Sequence, residues 1–377
     1  MKNKPKLISF MNAYSQGKSG GDMVFIEVSK RLEEYEKIVV TSFLGKKLCQ
    51  DNGLEANFLL TTKEHQFGNI VFIYLKRLIF ALLLLFKISV GNDDVILATS
   101  DFFPDVLPAF ILKKFNSNAL WLQRIYHLIP SSRKLPYWFQ RISFWFIKRW
   151  ADLITVDNTL LEEELVGMGF PHDKIRVSYP GIRLEYLKGI SSKEVKKYTA
   201  TFMARLHPSK GVFDLPQIWK MVCEELPQAK LGIIGKGDEE TVRELRNVTK
   251  EMGLEDNIDL LGFLPDDEAF STIKASKVFV FPSREEGFGI APLEAQALGT
   301  PVVAWDLPVF SEVFPQGMVC VSQSSSNRKF AMSVINVLSD NNLHEELSRE
   351  VEKNAERFSW EETARREKLL LESLQQK

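Results

Sequence analysis

The sequence has little cysteine. Cys49, Cys223 and Cys320 are the three thiols in 377 residues, far apart along the chain. That spacing excludes a disulfide framework and a local zinc site, and fits a reducing compartment. Charge of one sign is also lacking: the formal net charge is −1, so no bulk positive field exists of the kind that nucleic-acid binding draws on. Long uninterrupted apolar runs are missing too. Leu7–Met11 is too short for a signal-peptide core and reads as a first strand. Ile70–Val90 has the length of a membrane span, but Lys76 and Arg77 sit near its centre, where each would cost ~2.5–3.5 kcal/mol. Nothing marks the chain for export, and a cytoplasmic protein is expected.

What is present is an ordinary globular composition, 45% apolar and 26% charged, with an excess of phenylalanine (27 residues). At roughly 100–200 residues per domain the length implies two domains. Short β-branched runs at 7–11, 38–41, 95–98, 119–122, 153–156 and 175–179 read as strands buried on both faces, with helical patterns such as 22–32 and 104–114 between them. Pro180–Tyr198 has no strand signal and reads as the interdomain linker. Alternation resumes with strands near 199–204, 231–234, 258–261, 278–281, 301–304 and 319–321. The chain ends in helical sequence from about Asn327 to Gln375, broken near Phe358-Ser359-Trp360. Such alternation predicts an α/β chain of two doubly wound, Rossmann-like domains with ligands bound beyond the C-terminal strand ends. The expected boundaries are 1–183, 184–357 and a C-terminal helix over 358–377.

The richest chemistry follows the run Val278–Phe281. Gly287 and Gly289 let backbone approach a ligand, Pro292 suits the first turn of a helix, and Gly299-Thr300-Pro301 ends it. The amides of Gly287, Phe288, Gly289, Ile290 and Ala291 at that helix start form a potential anion site. Glu286 and Glu294 bracket the loop, and carboxylates accept hydrogen bonds from the vicinal hydroxyls of a polyol. Arg205 and Lys210, after another strand, are cations able to neutralise a diphosphate leaving group. Gln16-Gly-Lys-Ser-Gly20-Gly21 opens a helix after the first strand but is not a Walker loop.

These motifs resemble the retaining GT-B glycosyltransferases of family 4, the glycosyl transferases group 1. The resemblance rests on Glu286 and Glu294 around Gly-Phe-Gly, and on the basic motif Ala204-Arg205-Leu206-His207-Pro208-Ser209-Lys210-Gly211. Gly235-Lys236-Gly237, Leu261-Gly262-Phe263 and Phe358-Ser359-Trp360 add to it. It implies two domains facing each other across a cleft and a nucleotide-sugar donor. Glu286 would face the donor sugar and Glu294 the ribose. Arg205 and Lys210 would hold the diphosphate, Gly235 and Phe263 would border the base, Gly20 and Gly21 would face the diphosphate, and His127 would contact the donor sugar. The usual Pro-Asn-Gly is Pro180-Gly181-Ile182 here, without the Asn. No cofactor is implied. No Asp-x-Asp occurs to hold a metal ion, so the basic pair would take over that charge role. His207 reads as a loop residue, and His65, His172 and His344 carry no motif. The rival readings are a non-catalytic nucleotide-sugar-binding subunit, or a sugar-nucleotide epimerase or phosphorylase of the same architecture.

Two N-terminal segments suggest an anionic membrane surface as a further partner, with a glycan or lipid-linked acceptor. The 70–90 helix would leave an apolar side exposed. In 133–150, Lys134, Arg141 and Lys148 share a face beside Tyr137, Phe144 and Trp145, while Leu135, Trp138, Ile142 and Phe146 are expected to pack inward.

Overall fold

The computed structural model describes residues 4–13, 19–64, 69–191 and 197–375. It separates into two units, Met1–Gly181 with Trp360–Lys377, and Ile182–Ser359. The division falls two residues before the expected boundary, and Phe358 and Ser359 belong with the second unit. There the Ile182 amide donates to the Phe358 carbonyl at 3.0 Å, and Ile182 pairs with Ser359.

The first unit alternates β1 (Lys6–Met11), α1 (Gly20–Arg31), β2 (Glu36–Thr41), α2 (Phe43–Asp51), β3 (Asn57–Leu60), α3 (Ile70–Leu85), β4 (Val95–Ala98), α4 (Phe103–Phe115), β5 (Leu120–Arg124), α5 (Lys134–Trp150), β6 (Leu153–Val156), α6 (Thr159–Gly167) and β7 (Ile175–Val177). Its described strands form a parallel sheet ordered β3-β2-β1-β4-β5-β6-β7. Short β-branched runs make central strands because both faces are covered: every residue of β4 and β6 is buried. One face carries α3, α4, α5 and α6 over a core that includes Ile96, Trp121 and Ile154. The other carries α1 and α2 over Phe25, Val39 and Leu97.

The second unit runs α7 (Leu184–Gly189), β8 (Ala200–Met203), α8 (Asp214–Glu225), β9 (Leu231–Ile234), α9 (Glu239–Glu251), β10 (Ile258–Gly262), α10 (Asp266–Ala275), β11 (Val278–Phe281), α11 (Ile290–Ala297), β12 (Val302–Trp305), α12 (Phe310–Val313), β13 (Met318–Val321), α13 (Asn327–Ser339) and α14 (Asn341–Ala355). Its sheet is also parallel, ordered β10-β9-β8-β11-β12-β13. The last helix, α15 (Trp360–Gln375), packs on α1 of the first unit.

What seats α15 is a buried ion pair. Arg124 Nη1 and Nη2 donate to the two oxygens of Glu367 at 2.8 and 2.6 Å, and Ser178 Oγ donates to the same carboxylate at 2.8 Å. Both charged side chains are 2% exposed.

Three expectations change. The linker contains α7, whose Leu184 and Leu187 are buried. β3, with Phe58-Leu59-Leu60, is a further strand outside the expected runs, paired along β2 at the sheet edge. In α5 the apolar stripe does not pack inward: Leu135, Trp138 and Ile142 are exposed together with Lys134, Trp145 and Lys148, while Phe144 is buried in edge-on contact with Phe170. Both faces of that helix are rich in large apolar groups, so periodicity identifies two stripes without saying which one the sheet takes. Buried Gln140 decides it. Its amide nitrogen donates to Asp101 at 2.6 Å and its oxygen accepts from the Ile129 amide at 2.9 Å.

Candidate functional site

In the second unit the strand order reverses between β8 and β11. Ligands of open α/β sheets bind at such a reversal, beyond the carboxyl ends of the strands. The loop after β8 carries Arg205 and Lys210, and the loop after β11 carries Glu286 and the glycines. The structure therefore brings the two predicted pairs of loops together.

The contact is close and specific. Lys210 Nζ lies 2.7 Å from Glu286 Oε1 and donates to the Glu285 carbonyl at 3.3 Å. The Arg284 amide donates to the Ser209 carbonyl at 2.9 Å. Arg284 is itself held by Asp214, at 3.1 and 2.9 Å from its Nε and Nη2. Gly211 makes this approach possible: its φ is +69°, and a Cβ there would stand 1.9 Å from the Pro282 carbonyl oxygen. Lys210 and Glu286 are mostly buried, with side chains 21% and 11% exposed. Arg205 is exposed.

The helix start has the expected form. Gly289 caps α11 at φ +99°, and a Cβ would press on the Phe310 ring at 3.0 Å. Ile290 and Ala291 open the first turn, and Glu294 sits half-buried one turn on. Phe288 has a different place for its side chain: it is buried edge-on against Phe358, 5.6 Å between centroids. Gly287 beside it is exposed.

The next strands extend the same rim. The Gly235 amide donates to the Gly262 carbonyl at 2.8 Å, and a Cβ on Gly235 would meet the Ala204 carbonyl oxygen at 1.8 Å. Gly235 thus lets the β9 loop pass under the β8 loop. Phe263 follows β10, is 64% exposed, and lies 4.9 Å from Lys236 Nζ. An exposed ring beside a cation is a surface on which a planar aromatic group can stack.

Gly20, Gly21 and His127 belong to the first unit. Gly20 and Gly21 open α1, which Ser19 and Asp22 close with a capping box. Gly21 has a packing reason: its Cβ would stand 2.7 Å from the Tyr126 ring, whose hydroxyl donates to the Gly21 carbonyl at 3.1 Å. The Asp22 carboxylate already occupies this helix start, and burial raises its pKa against the lowering donations from Ser19. Gln16, Gly17 and Lys18 lie outside the described residues, as does His65. His127 is exposed past β5, and its carbonyl accepts from Gln140 at 3.0 Å. Burial raises the pKa of Asp101, opposed by the Gln140 amide and by His127.

Asp105 had no sequence signal of its own. It is buried at the β1/β4 reversal of the first sheet, where its carboxylate accepts from the Asn12 and Ala13 amides at 2.6 and 2.9 Å and from Ser100 Oγ at 2.6 Å. Burial outweighs these donors and pushes its pKa up to about 7. His207 Nδ1 accepts from the Ser209 amide at 3.2 Å and caps a short turn, a local structural role.

Two open parallel sheets, the second with cations and a carboxylate at its reversal, define the class: a GT-B glycosyltransferase fold. Residues 185–357, nearly all of the second unit, match the family model of glycosyl transferases group 1. The chain is 29% identical over 230 residues to an uncharacterized glycosyltransferase, MJ1607, of Methanocaldococcus jannaschii, covering 57% of this chain and 58% of that one. It is 25% identical over 226 residues to the GDP-mannose:cellobiosyl-diphosphopolyprenol alpha-mannosyltransferase of Xanthomonas campestris, covering 59% and 58%. The chain thus spans little more than half the length of these curated relatives. Its fold is similar to that of Anabaena Alr3699/HepE, solved with UDP and glucose, at a TM-score of 0.77 and 17% identity over 98% of this chain and 100% of that one.

Proposed function

We propose that this protein transfers a sugar, with retention of anomeric configuration, from a UDP- or GDP-sugar to a hydroxyl of a glycan or lipid-linked acceptor in cell-surface polysaccharide or glycolipid synthesis. The observation that carries the reading is the Lys210–Glu286 pair at 2.7 Å, which joins two loops at the strand reversal. A donor supplies partners for both members. Its diphosphate draws the ammonium of Lys210 and the guanidinium of Arg205, and its sugar hydroxyls donate to the Glu286 carboxylate. Charge developing on the leaving diphosphate is then met by two cations, with no metal ion or cofactor required. Glu294 takes the ribose hydroxyls, Phe263 and Gly235 border the base, and the α11 start faces the phosphates. The leaving phosphate helps deprotonate the acceptor on the same face. The mannosyltransferase relative, whose name specifies a diphosphopolyprenol acceptor, supports a lipid-linked acceptor.

A thermal-shift screen of UDP, GDP, ADP and their sugars tests the donor. A nucleotide at 100 times its dissociation constant stabilises by ~2.7 kcal/mol. Product anomers read by NMR test retention. Transfer or donor hydrolysis that survives Glu286→Ala unchanged counts against the assignment. Nucleotide-sugar binding without transfer to any acceptor supports a binding subunit instead.

A further inference from the structure

The outer helices of the first unit bury polar side chains among their inward apolar ones and expose large apolar side chains on the other face. On α3 the inward side holds a cation and a phenol: Arg77, 3% exposed, donates to the Asn12 carbonyl at 3.2 Å, and the Tyr74 hydroxyl donates to the Ala13 carbonyl at 2.8 Å. The outward side is apolar. Phe72, Leu75, Ile79, Leu83 and Phe86, spaced by three and four residues, are 49–83% exposed. Helix α5 repeats the pattern. Polar Gln140 and Ser143 are buried, whereas Leu135, Trp138, Ile142 and Trp145 are 45–65% exposed. Between the two lies α4, packed on both. Its Phe103 and Phe110 join the outer rings of α5, with Phe103 to Phe139 at 5.8 Å and Phe110 to Phe146 and Trp150 at 4.7 Å each. Three adjacent helices thus present one aromatic and aliphatic face, far more than single exposed apolar residues would explain.

The charged residues of the two flanking helices have one sign. Neither α3 nor α5 contains an acidic residue. Lys76, Lys87, Lys134, Lys148 and Arg149 are exposed on or beside them, and Lys114 Nζ stands 4.8 Å over the Trp150 ring. No helix among the described residues is long and apolar enough to cross a membrane.

We propose that the outer face of α3, α4 and α5 inserts into the headgroup layer of an anionic lipid bilayer. Apolar side chains enter the acyl boundary, tryptophans sit at headgroup depth, and the lysine rim meets lipid phosphate. A second copy of this chain fits less well, since isologous pairing would set basic rim against basic rim. The assignment is independent of the donor chemistry, and deepens the functional reading by placing the acceptor's neighbourhood at a membrane.

The test uses the full chain with phosphatidylcholine vesicles, with and without phosphatidylglycerol. Binding is expected to vesicles containing phosphatidylglycerol, with a blue shift of tryptophan emission, and to weaken in high salt. Lys76→Gln/Lys114→Gln/Lys134→Gln is expected to lower vesicle affinity roughly 100-fold through loss of three near-surface cations. Phe72→Ser/Trp138→Ser is expected to abolish the blue shift while leaving the unfolding temperature and nucleotide binding unchanged. Absence of binding to phosphatidylglycerol vesicles overturns the proposal, as does binding untouched by both variants. A dimer in sedimentation velocity that Phe72→Ser/Trp138→Ser dissolves, without vesicle binding, assigns the face to a second copy and equally overturns it.

Discussion

Glu367→Gln is the sharpest test of how α15 is held. The wild-type pair is bidentate, at 2.8 and 2.6 Å, and both side chains are 2% exposed. Removing the carboxylate leaves Arg124 charged and buried, since a guanidinium does not deprotonate in a protein. The expected cost is about 3–5 kcal/mol and depends little on pH. Arg124→Met strands the buried Glu367 side chain in the same way, and a comparable loss of stability is expected. Arg124→Met/Glu367→Leu is expected within about 2 kcal/mol of wild type, with about 1 kcal/mol of that from the Ser178 hydroxyl losing its acceptor. Urea unfolding read by tryptophan emission, with hydrogen exchange over α15, measures all three variants. A cost below about 1 kcal/mol for Glu367→Gln, against the range expected for a broken buried pair, would refute the reasoning. So would an Arg124→Met variant as stable as wild type. Because Arg124 ends β5, a loosened pair also disturbs Tyr126 and His127 just beyond it.

Gly211→Ala forces a Cβ into a backbone oxygen at 1.9 Å and a left-handed φ on alanine, so about 1–3 kcal/mol of stability and most nucleotide-dependent thermal shift are expected to disappear. A variant that binds nucleotide as well as wild type contradicts the proposed loop contact. Asp105 has its pKa raised from 3.8 to about 7, so its contribution is fully present below about pH 4 and lost as pH rises through about 7. Asp105→Asn is expected to remove a slope approaching 1.4 kcal/mol per pH unit in that window, checked by urea unfolding across pH; an unchanged slope refutes it. Phe263→Ala, at an exposed position, is expected to leave the unfolding temperature unchanged and weaken nucleotide binding by about 1–3 kcal/mol, the worth of one base stacked on an aromatic ring, as read by calorimetry. Equal affinities would remove Phe263 from the base site.

Much of the second unit was legible in the residues. The runs 231–234 and 278–281 coincide with β9 and β11, because buried parallel strands announce themselves locally. Capping chemistry placed α11, whose C-terminal stop is Gly299 at φ +79°. β3 was missed because its apolar run, Phe58-Leu59-Leu60, is only three residues long and half-buried at a sheet edge. α7 was hidden by its shortness and by the glycines around it. Asp105 gave no signal because its role depends on two amides 92 and 93 residues away.

The sequence by itself determined the alternation of strand and helix, hence two parallel sheets, and the residue types at the strand ends: the glutamates, the basic pair and the glycines. Those properties are local, set by periodicity, capping and the steric demands of turns. The tertiary structure alone decided which of them meet. It set Lys210 on Glu286, gave Phe288 to Phe358, seated α15 through Arg124, and turned the aromatic stripe of α5 outward. Each of these outcomes depends on partners distant in the chain, and a helix with two apolar faces carries no local instruction about which one the sheet will cover.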